Sequence, residues 1–344
     1  MTTLSLIVPA YNEAYNIMPF YRRVREVFNG TNYRVEILFI DDGSTDETAK
    51  RIENASDFSC FENQITVTGI SFSRNFGKES AMLAGMKSCH GELISIVDAD
   101  LQQDPSYVKQ MADMLASDEE TDCVTAVPED RKEGRLQCLL KKAFYRSINK
   151  SSSVEFTEDA SDFRTFRAAV KDAIISLPES RRFSKGLFSW VGFNTCYIPY
   201  QVKERENGTS SWSLSKLFRY AIDGFAAFSD LPQKIPFLIS GVIFALALIF
   251  LVMHGLLFPG VFSAAMAAII FFLLLLGSFQ SLCTGMIVQY TARNLQEARH
   301  RPAYIIRRIY NADQKRRHIH TNVNNPTILH RLELFFSLRG IVVH

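Results

Sequence analysis

Between positions 235 and 292 the 344-residue chain has no Asp, Glu, Lys or Arg. Soluble domains rarely carry so long an uncharged run, because their helices keep a polar face toward water. A bilayer core is crossed by roughly 20 apolar residues, so the stretch has room for two crossings. His254, Pro259 and Gly260 lie near its middle and mark a turn, which predicts one helix over 235–257 and a second over 261–289. Lys216, Arg219 and Lys234 precede the stretch, and Arg293, Arg299, Arg301, Arg307 and Arg308 follow it. Basic flanks of this kind stay in the cytoplasm.

Other absences narrow the chemistry. The six cysteines, Cys60, Cys89, Cys123, Cys138, Cys196 and Cys283, form no C-x-x-C pair, which argues against a zinc site and a disulfide framework and predicts reduced thiols. Lys and Arg number 38 against 36 Asp and Glu, so net charge does not point to nucleic acid. The first apolar run is followed by "PAYNE", without the glycines of a dinucleotide-binding turn, and no P-loop occurs anywhere. The opening "MTTLSLIVPAYNE" has an apolar segment too short for a signal peptide and no basic residue before it. The first 234 residues are therefore expected in the cytosol.

What is present is an alternation of short apolar runs with helical patterns, the mark of a mostly parallel sheet covered by helices. Strands are expected over 4–8, 35–40, 65–71, 93–97 and 124–127. Helices are expected over 16–28, 46–55, 78–88 and 105–117, the second opened by a stretch rich in N-cap residues. Three of these strands end in acid: Glu13, then Asp41 and Asp42, then Asp98 and Asp100. Ligands bind beyond the carboxyl ends of strands in such sheets. Asp98 and Asp100 are two apart, so in extended chain they share a side, and their like charges call for a cation between them. A divalent metal meets that need.

Four segments, "IVPAYNE" (7–13), "DDGSTDET" (41–48), "SRNFGKESAMLAG" (73–85) and "DADLQQDP" (98–105), together resemble the family-2 inverting glycosyltransferases of GT-A fold. With "SDFRTF" (161–166), "RRFSKGLFSWVGF" (181–193) and "RENGTSSW" (205–212), the chain is similar to the branch that moves a sugar onto polyprenyl phosphate, such as bactoprenol glucosyltransferases and dolichyl-phosphate mannose synthases. The fold so implied is α/β, a Rossmann-like mostly parallel sheet with flanking helices, followed by a juxtamembrane amphipathic helix and two transmembrane helices. The expected division is a catalytic domain over 1–211, the amphipathic helix over 212–234, the hairpin over 235–292 and a basic cytosolic tail over 293–344.

The resemblance also implies roles. Pro9, Tyr11, Glu13, Asp41 and Asp42, with Arg74, Lys78 and Asp98, would bind the nucleotide sugar. Asp98, Asp100 and Gln102 match the motif that holds Mg²⁺ or Mn²⁺ and the diphosphate, where oxygen ligands suit a hard cation. Asp162 matches the position of the catalytic base, and Asp100 serves catalysis through the metal. A dianionic lipid head needs cations beside a membrane, and Arg131, Arg135, Arg164, Arg205 and Lys216 are the candidates. Relatives often place Arg where this chain has Pro128, and Lys where it has Ser211, so any cation needed there must come from elsewhere.

The expected activity is transfer of a sugar from a nucleotide sugar, UDP-glucose first and UDP-N-acetylglucosamine second, to undecaprenyl phosphate with inversion. The expected setting is the bacterial inner membrane, crossed more than once, with the catalytic domain facing the cytoplasm. The lipid bilayer is then a partner, nucleic acid is not, and homo-oligomerisation stays open. A processive polysaccharide synthase is the enzyme alternative, but neither Trp190 nor Trp212 is preceded by Arg, so the Q-x-x-R-W motif is lacking. An inactive scaffold of the same fold is the other, and Asp98, Asp100 and Asp162 argue against it.

Overall fold

The computed structural model describes residues 1–59, 64–129, 161–179, 182–203, 262–298 and 301–311, with positions 242 and 245. Eight strands form one sheet: β1 (Thr2–Ala10), β2 (Tyr33–Asp41), β3 (Ile65–Phe72), β4 (Leu93–Ile96), β5 (Cys123–Pro128), β6 (Arg164–Arg167), β7 (Thr195–Tyr200) and β8 (Ile306–Asn311). Their order is β7-β5-β6-β4-β1-β2-β3-β8. Strands β4, β1, β2 and β3 run parallel, as do β5 and β7. Strand β6 is inserted antiparallel between β4 and β5, and β8 pairs antiparallel with β3 at the edge. Central strands such as β1, covered on both faces, bury a continuous apolar run from Leu6 to Val8.

Helices α1 (Ile17–Phe28), α2 (Thr48–Ser59) and α4 (Pro105–Ser117) cover one face, while α3 (Lys78–Ser88), α5 (Ala168–Ser176) and α6 (Ser184–Trp190) lie on the other. In α1 the buried residues Ile17, Phe20, Tyr21, Val24 and Phe28 recur at helical spacing and form one stripe. The helix α4 starts at Asp104, whose carboxylate accepts the Ser106 N–H, with Pro105 in the first turn where no donor is missed. Helix α3 instead buries the run Ala81 to Met86. A Cβ at Gly85 would stand 2.3 Å from Ile7 Cγ2, so glycine lets α3 lie close on β1.

Beyond β7, α7 (Phe262–Ala298) is one continuous helix of 37 residues, overlapping the helix expected over 261–289. Its placed side chains include exposed Ile269, Leu273, Leu276, Ile287 and Val288. Among the described residues no helix is long and apolar enough to cross a membrane, and many α7 side chains lie outside the description. The expected helix over 235–257 lies outside the described residues, apart from positions 242 and 245, as does the amphipathic segment 212–234. From the stretch assigned to the tail, β8 returns to complete the sheet. Cys89, Cys123, Cys196 and Cys283 are free thiols.

Candidate active site

The carboxyl ends of β1, β2, β3 and β4 share one edge of the sheet, and the sequence motifs follow them. Beyond β1, Asn12 adopts a left-handed φ of 56°. Its N–H donates to Ser44 Oγ at 2.9 Å and its Oδ1 accepts the Thr45 N–H at 2.9 Å. The Glu13 N–H donates to Thr48 Oγ1 at 2.9 Å, and the Glu13 carboxylate accepts from Asn16 Nδ2. These bonds join the loops after β1 and β2 into one wall, with partly buried Pro9 below it and Tyr11 exposed to solvent.

Asp41 and Asp42 finish β2 but turn to different tasks. Asp41 is buried and accepts from Ser44 N–H at 2.9 Å and Ser71 Oγ at 2.8 Å, which ties β2 to β3. Asp42 accepts the N–H groups of Phe76 at 2.6 Å and Gly77 at 2.8 Å. Burial pushes its pKa up to about 6, against the downward pull of those two N–H groups. Gly43, at φ 67°, packs where a Cβ would meet the Arg74 carbonyl carbon at 2.3 Å. The loop carrying Arg74 is thus pinned by backbone contacts, and the exposed Arg74 guanidinium lies 4.2 Å above the Phe76 ring.

The acidic end of β4 faces β6. Ile96 pairs with Arg164 in the antiparallel register, and continuing that register two residues brings Asp98 opposite Asp162. Lys78, first residue of α3, reaches between them: its Nζ stands 2.6 Å from Asp98 Oδ1 and 3.5 Å from Asp162 Oδ2. Burial opposes the Lys78 charge, but the two carboxylates outweigh it and raise its pKa. Burial likewise works to raise Asp162, yet Lys78, Lys185 and Arg164 hold its carboxyl below the ordinary range. Asp162 Oδ1 and Arg164 Nε are buried without a hydrogen-bond partner among the described residues.

Asp100 is buried and accepts the Gln102 N–H at 3.2 Å. Between them Leu101 has φ 60°, a strained conformation for a branched side chain. The Gln102 amide turns to the Lys203 carbonyl at 3.4 Å. The neighbouring Gln103 serves Asp98, accepting its N–H at 2.9 Å and donating to Oδ2 at 3.3 Å. Asp98 and Asp100 offer carboxylate oxygens suited to Mg²⁺ or Mn²⁺, and Asp98 already holds a cationic group, so the donor set fits such an ion. No cluster of three or more His, Cys, Asp or Glu suited to a metal occurs among the described residues.

Helix α6 closes the far side. The Glu79 carboxylate accepts both the N–H and the Oγ of Ser184, and the Arg164 guanidinium lies 4.0 Å above the Phe188 ring. Arg164 is only 4% exposed and donates to the Ser161 carbonyl at 2.7 Å. Of the proposed acceptor cations, Arg164 alone falls among the described residues; Arg131, Arg135, Arg205 and Lys216 lie outside them. Sequence reasoning did not single out Glu79 or Lys185, while it left open whether Gln102 or Gln103 faces the metal. The doubled glutamine of "LQQDP" was the signal for Gln103, but the signals for Glu79 and Lys185 exist only in three dimensions.

Residues 5–174 match the family "Glycosyl transferase family 2". CsbB of Bacillus subtilis (strain 168), which is named as a glycosyltransferase, is 36% identical over 311 residues, 88% of this chain and 91% of that protein. The bactoprenol glucosyl transferase of Shigella phage SfV is 34% identical over 308 residues, 88% of this chain and 98% of that protein. Among solved structures, glucosyl-3-phosphoglycerate synthase from Mycobacterium tuberculosis with bound UDP aligns at 19% identity and a TM-score of 0.45, over 64% of this chain and 76% of that one. So loose a superposition adds nothing to the sequence similarity. On near full-length similarity above 30% identity, and on the acidic strand ends of its α/β sheet, this chain belongs to the family-2 glycosyltransferases of GT-A fold.

Proposed function

We propose that the protein transfers a sugar from a nucleotide sugar to polyprenyl phosphate with inversion at the anomeric carbon, UDP-glucose being the first-choice donor and UDP-N-acetylglucosamine the second. The observation that carries this proposal is the similarity to a bactoprenol glucosyl transferase across nearly all of that protein's length, which takes in the uncharged stretch as well as the catalytic sheet. The chemistry of the acceptor agrees. A polyprenyl phosphate joins a dianionic head to an apolar tail, and this chain joins a site with Lys78, Arg164 and Lys185 to a long uncharged segment.

In the proposed reaction an acceptor phosphate oxygen attacks the anomeric carbon on the face opposite the nucleotide. The bond from that carbon to the diphosphate oxygen breaks, and its electron pair leaves with the nucleotide. The acceptor phosphate has a second pKa of about 6, so near neutral pH it is mostly dianionic and needs no strong base. Asp162 then orients the acceptor through the cations around it. Pure repulsion between two anions would be unfavourable, and Lys78, Lys185 and Arg164 remove that objection. Asp98 and Asp100 would hold Mg²⁺ or Mn²⁺, with Gln102 as the third expected ligand and Gln103 fixing Asp98; when bound, the ion neutralises charge on the departing diphosphate.

The test offers detergent-purified full-length protein a panel of nucleotide sugars with a short polyprenyl phosphate and Mn²⁺, and identifies the lipid product by mass spectrometry. One sugar on the lipid is the expected outcome, with Asp100→Asn reducing transfer by about 100-fold or more while the protein stays folded. A sugar polymer, or no lipid-linked sugar from any donor, would overturn the proposal.

A further inference from the structure

We infer that Lys78 is a resident counter-cation that competes with the divalent metal for Asp98, and that metal entry transfers its ammonium from Asp98 to Asp162. The Lys78 Nζ is 2.6 Å from Asp98 Oδ1, the closer of its two carboxylate contacts. The other oxygen, Oδ2, accepts from Gln103 Nε2 at 3.3 Å. A divalent ion bound at its usual distance of roughly 2.1 Å from Asp98 would stand beside that ammonium, and two cations so close repel strongly. One must yield, and only the lysine has somewhere to go. Among the described residues Asp162 Oδ1 is buried without a hydrogen-bond partner, while Oδ2 of the same carboxylate is 3.5 Å from Nζ. A turn about the lysine side-chain torsions, with no backbone movement, brings the ammonium fully onto Asp162.

The backbone is in fact fixed on either side of Lys78. Gly77 N–H is held by Asp42, and the Gly77 carbonyl accepts the N–H groups of Ser80 and Ala81, the first turn of α3 that spans Lys78. The device therefore resides in one side chain. It keeps the two facing carboxylates apart in charge before the donor arrives, and leaves Asp162 paired with a cation once the metal has taken Asp98. Lys78 has this role only if Asp98 is a metal ligand in the proposed reaction.

The test measures Mn²⁺ binding to the full-length protein without nucleotide, from the electron paramagnetic resonance signal of free Mn²⁺. Lys78→Met is expected to bind Mn²⁺ about tenfold more tightly than the parent, because a competing charge is gone. Lys78→Gln should do the same with a polar side chain, which covers failure of the Met variant to fold. Lys78→Arg, which keeps the charge, should stay within about twofold of the parent, and Asp98→Asn should lose the binding. Lys78→Met and Lys78→Gln binding no tighter than the parent, with Asp98→Asn still losing the ion, would overturn the competition alone. Equal Mn²⁺ binding by Asp98→Asn and the parent would overturn the metal role of Asp98, and the inference with it.

Discussion

Asp162 has one oxygen near Lys78 and the other without a hydrogen-bond partner among the described residues, and its state of charge follows from its neighbours. Burial alone would lift its pKa, but Lys78, Lys185 and Arg164 prevail and depress it. The carboxylate is therefore ionised at neutral pH and loses its charge only as the pH falls below the ordinary carboxylate range. An orienting role then predicts that Asp162→Asn lowers the transfer rate by a nearly constant factor from about pH 5.5 to 8.5, at saturating metal, even as the acceptor phosphate titrates with its pKa of about 6. A deficit that is large at low pH and fades as the acceptor ionises would make Asp162 the proton acceptor. The acidic end of β4 stood out in the sequence, but β4 ends at Ile96 and residues 99–100 form a turn, so the period of two of an extended chain does not carry through to Asp98 and Asp100. The bridge from Lys78 to Asp98 and Asp162 was not legible there, since it joins positions on three separate elements. Nor could sequence alone tell that Asp42 spends its carboxylate on the backbone of Phe76 and Gly77.

At the scale of elements, the five strands expected from apolar runs are all present, as β1 to β5, and the helices over 78–88 and 105–117 have the expected ends. Those segments are long, or bounded by a cap and a proline. Strand β6 escaped notice because its four residues begin and end in Arg and form no apolar run, whereas the equally short β4 is apolar almost throughout. Strand β8 escaped because its pairing partner lies more than 200 positions earlier, and Ile306 and Ile309 on it are exposed. Helix α4 shows how much one capping residue can carry. Asp104 accepts from Arg23 Nε and Nη2, each at 3.2 Å, from Ser106 N–H at 2.8 Å and from Lys203 Nζ, so it ties α1 and the chain leaving β7 to the start of α4. Burial works to raise its pKa, but Lys203, Ser106 and Arg23 drive it well below the usual range. Loss of the cap and of two ion pairs to partly exposed cations predicts a cost of about 2 to 3 kcal/mol for Asp104→Ala. A depressed carboxyl pKa contributes stability above the unfolded-state value of about 4 and loses it as pH falls toward the folded-state value. The gap between parent and variant in denaturant unfolding should accordingly hold steady from about pH 5 to 8 and close at lower pH. A gap below about 1 kcal/mol, or one unchanged in acid, would show that the pairs add little.

At the scale of the whole molecule, the path of the chain constrains its relation to a membrane independently of the basic flanks. Strand β7 and residues up to Lys203 lie on the sheet before the uncharged stretch, and after α7 residues 301–305 lead into β8, which pairs with β3. The return is firmly seated. The Tyr304 ring stacks on Phe72 at 5.0 Å, the Ser73 N–H donates to the Ile305 carbonyl, and Ser80 Oγ donates to that of Ala303. The segments before and after the uncharged stretch therefore belong to one side. If α7 crosses a bilayer, the chain must cross an even number of times between 203 and 301, so the second crossing belongs to the uncharged residues before residue 262. In that case the 37 residues of α7, about 55 Å at a rise of 1.5 Å per residue, would exceed a hydrocarbon core of roughly 30 Å, and its last turns would extend beyond it on the side of the sheet. In a variant with the native cysteines replaced, single cysteines introduced at Arg205 and Gln296 should be shielded from an impermeant thiol reagent in intact cells, and one at Gly260 should be labelled. Shielding at all three positions, with labelling restored on permeabilisation, would mean that α7 does not cross. Labelling at only one of the two flanks would contradict the sheet itself, because β3 and β8 cannot pair from opposite sides of a bilayer.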